Sequence, residues 1–188
     1  MANPPAVAAF VRSWEGLAGR AHIVADWTQA AESAATLLQE RGVKHVVTAR
    51  LNAGLERALA PRLWGLGVET LDWHHSEGAL SYLAKATAGL SMPAFAVAET
   101  GTLVEVVRDD AERLVSTLPR IHLAFLGGDQ IVMGFEDAMK RVQEIAREPG
   151  PLAVTLISGP SRTGDIELRH VLGVHGPHET HALIVTGQ

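Results

Sequence analysis

Residues 21–48 read AHIVADWTQAAESAATLLQERGVKHVVT, and their pattern decides the fold class. Residues 21–25 form a short apolar run of strand character. Asp26 or Thr28 then offers a side-chain oxygen to the first free amides of a helix. Ala30, Ala34, Leu37 and Leu38 recur at helical spacing and mark one buried face. Gly42 is a suitable stop, because helices commonly end on a residue with positive φ. Residues 43–48, VKHVVT, are β-branched and strand-like. A helix over 54–60, ending before Pro61, and a weaker strand over 67–71 extend the order to β, α, β, α, β. Strands joined through helices lie parallel, with right-handed crossovers.

Upstream, Pro4 and Pro5 suit the first turn of a helix, where a missing N–H costs nothing. Val7, Phe10, Val11, Trp14 and Leu17 follow at helical spacing. They predict a helix laid on the body of the protein, an N-terminal appendage over 1–19 beside one domain over 20–188. Downstream, Ser76 predicts the cap of a helix over 77–87, and Ser91-Met92-Pro93 a turn. Residues 94–98 and 103–107 read as strands joined by Glu99-Thr100-Gly101-Thr102, a hairpin-like exception to the alternation. Asp109, Asp110 and Glu112 suit a helix N-terminus, followed by Ala111, Leu114, Val115 and Leu118 on its buried face. Residues 121–126 are strand-like and run into Gly127-Gly128-Asp129. Phe135, Ala138, Met139, Val142, Ile145 and Ala146 give the clearest amphipathic helix. Strands over 152–157 and 178–185 complete an α/β fold with a mostly parallel sheet flanked by helices.

The 188 residues are 47% hydrophobic and 20% charged, ordinary for one globular domain. The formal charge of −5, without any Lys/Arg cluster, argues against nucleic-acid binding. No apolar run approaches the ~20 residues that span a bilayer, so no membrane insertion is expected. No secretory signal is legible at the N-terminus, and cysteine is absent. Both fit a cytoplasmic protein. Without cysteine this chain forms no disulfide, has no thiol nucleophile and offers no thiolate to an iron–sulfur cluster.

Two polar loops stand out as halves of one site. Ser158-Gly159-Pro160-Ser161-Arg162-Thr163-Gly164 follows an apolar strand. Small residues leave backbone amides accessible to an anion, the hydroxyls of Ser161 and Thr163 add donors, and Arg162 can clamp a carboxylate or phosphate, so Ser158, Gly159, Ser161, Arg162 and Thr163 are ligand-binding candidates. In open α/β sheets such loops lie where ligands bind. The same residues also suit a plain strand-to-helix turn in which Ser158 caps and Arg162 pairs with Asp165 or Glu167. The second loop contributes Thr100, Gly101 and Thr102 as ligand-binding candidates and Glu99 as a catalytic one. A partly buried carboxylate there would have a raised pKa and serve as base or nucleophile; it would otherwise only fix the turn. His175, held between Gly173 and Gly176-Pro177, is the second catalytic candidate, a general acid/base on a rigid turn.

Other motifs fail. The glycine-rich loop is neither G-x-S-x-G nor a P-loop, and no G-x-G-x-x-G follows a strand. A Ser161/His175/Asp165 triad can be written but has no motif behind it. His178 and His181 face opposite sides of a strand, and the adjacent pair His74-His75 rarely chelates one ion, so no metal site is expected.

Ala98-Glu99-Thr100-Gly101-Thr102-Leu103, Ile157 through Glu167 (ISGPSRTGDIE) and Gly173-Val174-His175-Gly176-Pro177 together resemble the LUD-domain family, in its lactate utilization protein C branch. The likeness runs from about residue 21 to the C-terminus, including Leu118-Pro119 and His122. Gly164 stands where the family usually has Ala, and Ser91-Met92-Pro93-Ala94-Phe95 departs from its polar pattern. The resemblance implies a fold of the NagB/RpiA/CoA-transferase-like group. It also implies a part in oxidising L-lactate to pyruvate, with iron–sulfur clusters in partner subunits and no cofactor in this chain. The expected role is an accessory subunit binding a small carboxylate or phosphate. The alternatives are a stand-alone enzyme like a CoA-transferase or sugar-phosphate isomerase, using Glu99, and a purely structural subunit.

Overall fold

The computed structural model describes residues 3–75, 79–164, 170–172 and 176–187. The chain begins with helix α1 (Pro4–Gly16), then β1 (Arg20–Val24), α2 (Trp27–Glu40), β2 (His45–Ala49), α3 (Ala53–Gly65) and β3 (Glu69–Asp72). The cap of α2 is Asp26, whose Oδ1 accepts from the Gln29 amide at 2.8 Å. Gly42 takes φ +62° beyond the end of α2. The middle comprises α4 (Ala79–Leu83), β4 (Ala88–Ser91), β5 (Phe95–Val97), β6 (Thr102–Val107), α5 (Leu114–Thr117) and β7 (Ile121–Gly127). The last part comprises β8 (Ile131–Val132), α6 (Phe135–Ile145), β9 (Ala153–Ile157), β10 (Arg162–Gly164), β11 (His170–Leu172) and β12 (Glu179–Val185).

The main sheet has the strand order β1-β12-β7-β4-β2-β3, and every neighbouring pair is parallel. From β2 the chain steps outward to β3, then returns to place β4 on the other side of β2 and continues through β7 to β12. The winding direction therefore reverses between β2 and β4. Their carboxyl ends, at Ala49 and Ser91, form the crevice where open α/β sheets characteristically bind ligands.

One face of this sheet is covered by α2 and α3, with Leu38, Leu59 and Leu63 packed near Leu90, Phe125 and Leu183. The opposite face is divided. Leu83 and Val115, from α4 and α5, pack with Val47 and Ala49 of β2. Over β7 and β12 lie α1 and a second sheet of order β8-β5-β6-β9, in which β5–β6 and β6–β9 are antiparallel. Phe10 and Trp14 of α1 are fully buried in a cluster with Leu103, Ala124, Leu126 and Ile184. Helix α6 covers the outer side of the second sheet through Ala138. Among the described residues no helix is long and apolar enough to cross a membrane.

Two expectations are corrected. The stretch read as the end of a helix and a turn contains β4, a four-residue strand buried throughout in the middle of the main sheet. It lacks the β-branched signal because the space is small: a Cβ at Gly89 would stand 1.8 Å from the Val115 carbonyl oxygen. The described part of the helix expected over 77–87 is only α4; its start at Ser76 and Glu77 lies outside the described residues. Second, α3 does not end before Pro61 but runs through it to Gly65. Proline removes one helical hydrogen bond, yet Leu59 and Leu63, on either side of it, are 1% and 2% exposed. Their burial holds the helix across the break.

Candidate functional site

The two polar loops are brought together. Thr100 Oγ1 lies 2.8 Å from Thr102 Oγ1, which in turn lies 2.8 Å from Ser158 Oγ. The register of β6 against β9, with Leu103 opposite Ile157, places the loops side by side. The result is a chain of three hydroxyls, anchored at buried Thr102 and ending in exposed Thr100 and Ser158.

The glycines of both loops are approached by the chain itself. Gly101 has φ +59°, and a Cβ on it would stand 2.5 Å from the Trp14 amide nitrogen. Gly159 has φ +87°, and its Cβ would stand 2.5 Å from the Leu17 carbonyl oxygen. The end of α1 therefore rests on both turns, and Ser13 Oγ donates to the Glu99 carbonyl at 3.3 Å.

Glu99 is exposed, so the burial invoked to activate it is not met. Its Oε2 accepts from the Phe135 amide at 3.1 Å. The residue at the N-cap of α6 is Gly134, which has no side chain, and Glu99 supplies the missing acceptor from another loop.

Ser158 does not cap a helix, because the loop leads into the antiparallel pair β10–β11. Arg162 and Thr163 are the first residues of β10, opposite Leu172 and Val171. The Ser161 amide donates to the Pro177 carbonyl at 2.9 Å, so Pro177, the last residue of the GVHGP stretch, lies against this loop. His175, Asp165 and Glu167 lie outside the described residues.

A second cluster, not anticipated from the sequence, occupies the switch point between β2 and β4. Glu105 projects from β6 between the two sheets and is 5% exposed. Its Oε1 accepts from Ser91 Oγ at 2.6 Å and its Oε2 from Ser116 Oγ at 2.5 Å. Burial pushes the Glu105 pKa up, against the pull of the two hydroxyls and the charge of Arg50. Behind Ser91, His122 Nε2 lies 2.8 Å from the same hydroxyl. Full burial lowers the His122 pKa to about 4, so it is neutral near pH 7, and its 3.8 Å approach to Glu105 is not an ion pair there. When Glu105 is ionised, Ser91 gives its one proton to that carboxylate and His122 Nε2 carries the hydrogen of the other contact. Its Nδ1 is then an acceptor, buried and without a hydrogen-bond partner among the described residues.

Arg50, the residue after β2, takes φ +59°, a left-handed conformation costly for a residue with a Cβ. Its Nε contacts Glu112 Oε1 at 2.5 Å, and His74 Nε2 lies 3.4 Å from Glu112 Oε2. Glu112 and Arg50 line a small cavity with Ser91, Met92 and Glu105. At about 10 Å³ it admits a single water. A charged residue at the centre of the apolar strand LVEVV was the signal for this cluster in the sequence. Strained backbone, shifted proton affinities and a position at the switch point mark it as a candidate acid–base site. Among the described residues no group of three or more His or acidic side chains is arranged to hold a metal.

A family model described as the LUD domain matches residues 7–185. The chain belongs to the LUD-domain family. Among its relatives, lactate utilization protein C of Deinococcus radiodurans is 35% identical over 156 residues, covering 75% of this chain and 71% of that protein. Lactate utilization protein C of Macrococcus caseolyticus is 32% identical over 129 residues, 65% of this chain and 56% of that one. Lactate utilization protein C 1 of Bacillus mycoides is 35% identical over 129 residues, 68% and 52%. The chain thus spans little more than half the length of the last two. A crystal structure of a DUF162 family protein from Deinococcus radiodurans superposes with a TM-score of 0.69, covering 98% of this chain and 99% of that one at 20% identity, and shares the fold. The LUD match includes most of α1, whose Phe10 and Trp14 are buried in the core.

Proposed function

We propose that this LUD-domain chain serves in L-lactate utilization as a non-redox subunit that holds a small carboxylate or phosphate at its paired loops. Iron–sulfur partner subunits would carry the electrons. The observation that supports this most is the Thr102–Ser158 contact, which seats the start of the Ser158–Thr163 loop beside the Glu99–Thr102 turn. Three hydroxyls gathered there, with Arg162 four residues further on, are the groups an anion needs. The names of the relatives supply the lactate context. A chain without cysteine has no thiolates for a cluster, which fits a division of labour with partners.

The test is growth on L-lactate of a host that lacks its own lactate utilization protein C. This chain is expected to restore growth, and Arg162→Ala to restore it poorly. Isolated protein with lactate and an electron acceptor should show little turnover. Failure of the wild-type chain to restore growth, or brisk oxidation by this chain alone, would overturn the reading. The component of L-lactate binding that belongs to the loops should weaken about tenfold or more in Arg162→Ala by calorimetry, since charged hydrogen bonds are worth ~1.5–3 kcal/mol. Unchanged binding would remove Arg162 from the site.

A further inference from the structure

A polar groove of about 420 Å³ lies between β1 and α2, lined by Arg20, His22, Ser33, Thr36 and His181 among others. We infer that this groove is a second binding site, for a small hydroxy carboxylate, in which Arg20 holds the carboxylate and Nδ1 of His22 accepts the hydroxyl proton's hydrogen bond. The proposal is independent of the paired loops.

Glu179, His181 and His22 form a chain along the groove. Glu179 is held by Arg41, whose Nε lies 3.2 Å from both carboxylate oxygens and whose Nη2 lies 3.1 Å from Oε2. His181 Nε2 lies 3.2 Å from that same Oε2, and His181 Nδ1 lies 3.0 Å from His22 Nε2. The two rings are within 17° of parallel with centroids 5.3 Å apart. The N···N contact is thus shorter than the centroid separation by about the two ring radii, so the rings meet edge to edge through a hydrogen bond.

These contacts set the protons. The bond to Arg41 lowers the Glu179 pKa, so Glu179 is an ionised acceptor. Burial lowers His181 to about 4 and, with Arg20, lowers His22, while Glu15 opposes the shift at His22; both rings are neutral near pH 7. His181 must then donate from Nε2 to Glu179, which leaves its Nδ1 a lone pair. His22 must donate from Nε2 to that lone pair. One nitrogen remains, and His22 Nδ1 is unprotonated. A carboxylate that orients an imidazole, which orients a second one, is the logic by which a base is given a fixed tautomer.

Glu32 is bound by Arg62 at 2.6 Å, and Glu40 lies 3.5 Å from Arg41, so the two acids of the lining are already matched. Arg41 is occupied by Glu179. Arg20 is different: its closest approach to Glu179 is 3.9 Å, beyond hydrogen-bond distance, and its side chain is 58% exposed. Arg20 and His22 are two apart on β1, on the same face and about 7 Å apart along the strand. The pair offers one planar cation and one neutral acceptor, with the hydroxyls of Ser33 and Thr36 across the groove. A short molecule with a carboxylate at one end and a hydroxyl beside it satisfies both.

The test is nitrogen NMR of the full chain at neutral pH. His22 is expected to show a protonated Nε2 and an unprotonated Nδ1, with Glu179→Gln relaxing that preference. Millimolar L-lactate should shift the Nδ1 signal, and 2-methoxypropanoate, which has no hydroxyl proton, should do so about tenfold less well. Arg20→Ala, at an exposed side chain, should weaken the response tenfold or more, whereas Arg162→Ala should leave it intact. The proposal is overturned if His22 carries its proton on Nδ1 or if lactate leaves its signals unmoved. A response that follows Arg162 rather than Arg20 would assign lactate to the loops alone, and also overturn it.

Discussion

Thr102 Oγ1 lies 2.8 Å from Ser158 Oγ, and this one contact joins loops that are 56 positions apart in the chain. Thr102 is 4% exposed, so its hydroxyl works in a low-dielectric setting with Thr100 on its other side. The junction ties the start of β6 to the end of β9, beside the backbone pairing of Leu103 with Ile157.

Thr102→Val keeps the shape and removes the link. Its former partners Thr100 and Ser158 are exposed and can turn to water, so the loss should be about 1 kcal/mol, the net worth of an ordinary hydrogen bond. The urea midpoint should fall slightly with the slope unchanged. Anion binding should suffer more than stability, because the loops lose their common anchor. A variant as tight-binding as wild type in calorimetry would show that the junction is structural only.

Gly101→Ala and Gly159→Ala are expected to be severe. Each adds a Cβ at positive φ and presses it against the backbone at the end of α1, at 2.5 Å in both cases. Such contacts are relieved only by moving the helix. Strained φ alone costs about 1–3 kcal/mol, and displacement of Phe10 and Trp14 from the core adds to it. Thermal melts should shift downward by several degrees or more, with a change in tryptophan fluorescence as Trp14 is uncovered. Gly42→Ala, at positive φ in open space, should lose only the conformational part.

The sheet was legible where the periodicity was clean. β1, α2 and β2 follow from apolar spacing, and the Glu99–Thr102 turn from its glycine. β4 escaped because Ala88-Gly89-Leu90-Ser91 has no β-branched residue: the nearby Val115 carbonyl leaves Gly89 no room for a side chain. The hairpin β5–β6 was legible, but its membership in a second sheet with β8 and β9 rests on pairings far apart in sequence. The same holds for the site. Small residues and hydroxyls flagged both loops, whereas Ser91, Glu105, Ser116 and His122 looked separately like turn, strand, helix and strand residues. Only the packing of β6 against the main sheet makes them one network. The carboxylate of Glu99 was picked out for chemistry, yet the nearest task its geometry shows is capping α6.

That capping can be measured. Glu99→Ala removes the acceptor for the Phe135 amide and should destabilise by about 1 kcal/mol, as loss of a helix cap does. Glu99→Gln retains an acceptor oxygen and should lose less. Mixing the protein with acyl-CoA and examining it by mass spectrometry should yield no adduct on Glu99. An acyl adduct at that residue would favour a CoA-transferase-like enzyme over a binding subunit.

Acid sensitivity should come from buried histidines. His122 titrates at about 4 when folded, against 6.5 as its ordinary value. Between these limits the unfolded chain binds the extra proton, so stability rises with pH from about 4 to about 6.5 and is lost in the other direction. At about 1.4 kcal/mol per tenfold change in proton affinity, His122 contributes on the order of 3 kcal/mol above that window. His181, also lowered to about 4, acts with the same sign. Glu105 acts oppositely: its raised pKa means that the folded state holds the extra proton above 4.5, and stability falls as pH rises to its folded value. Urea midpoints between pH 4 and 6.5 should therefore climb with a slope below that of two protons. His122→Gln retains a donor for Ser91 and removes the titration, so its slope should fall by up to one proton, about 1.4 kcal/mol per pH unit. An unchanged slope in His122→Gln would mean that His122 takes up its proton equally in both states, contrary to its complete burial.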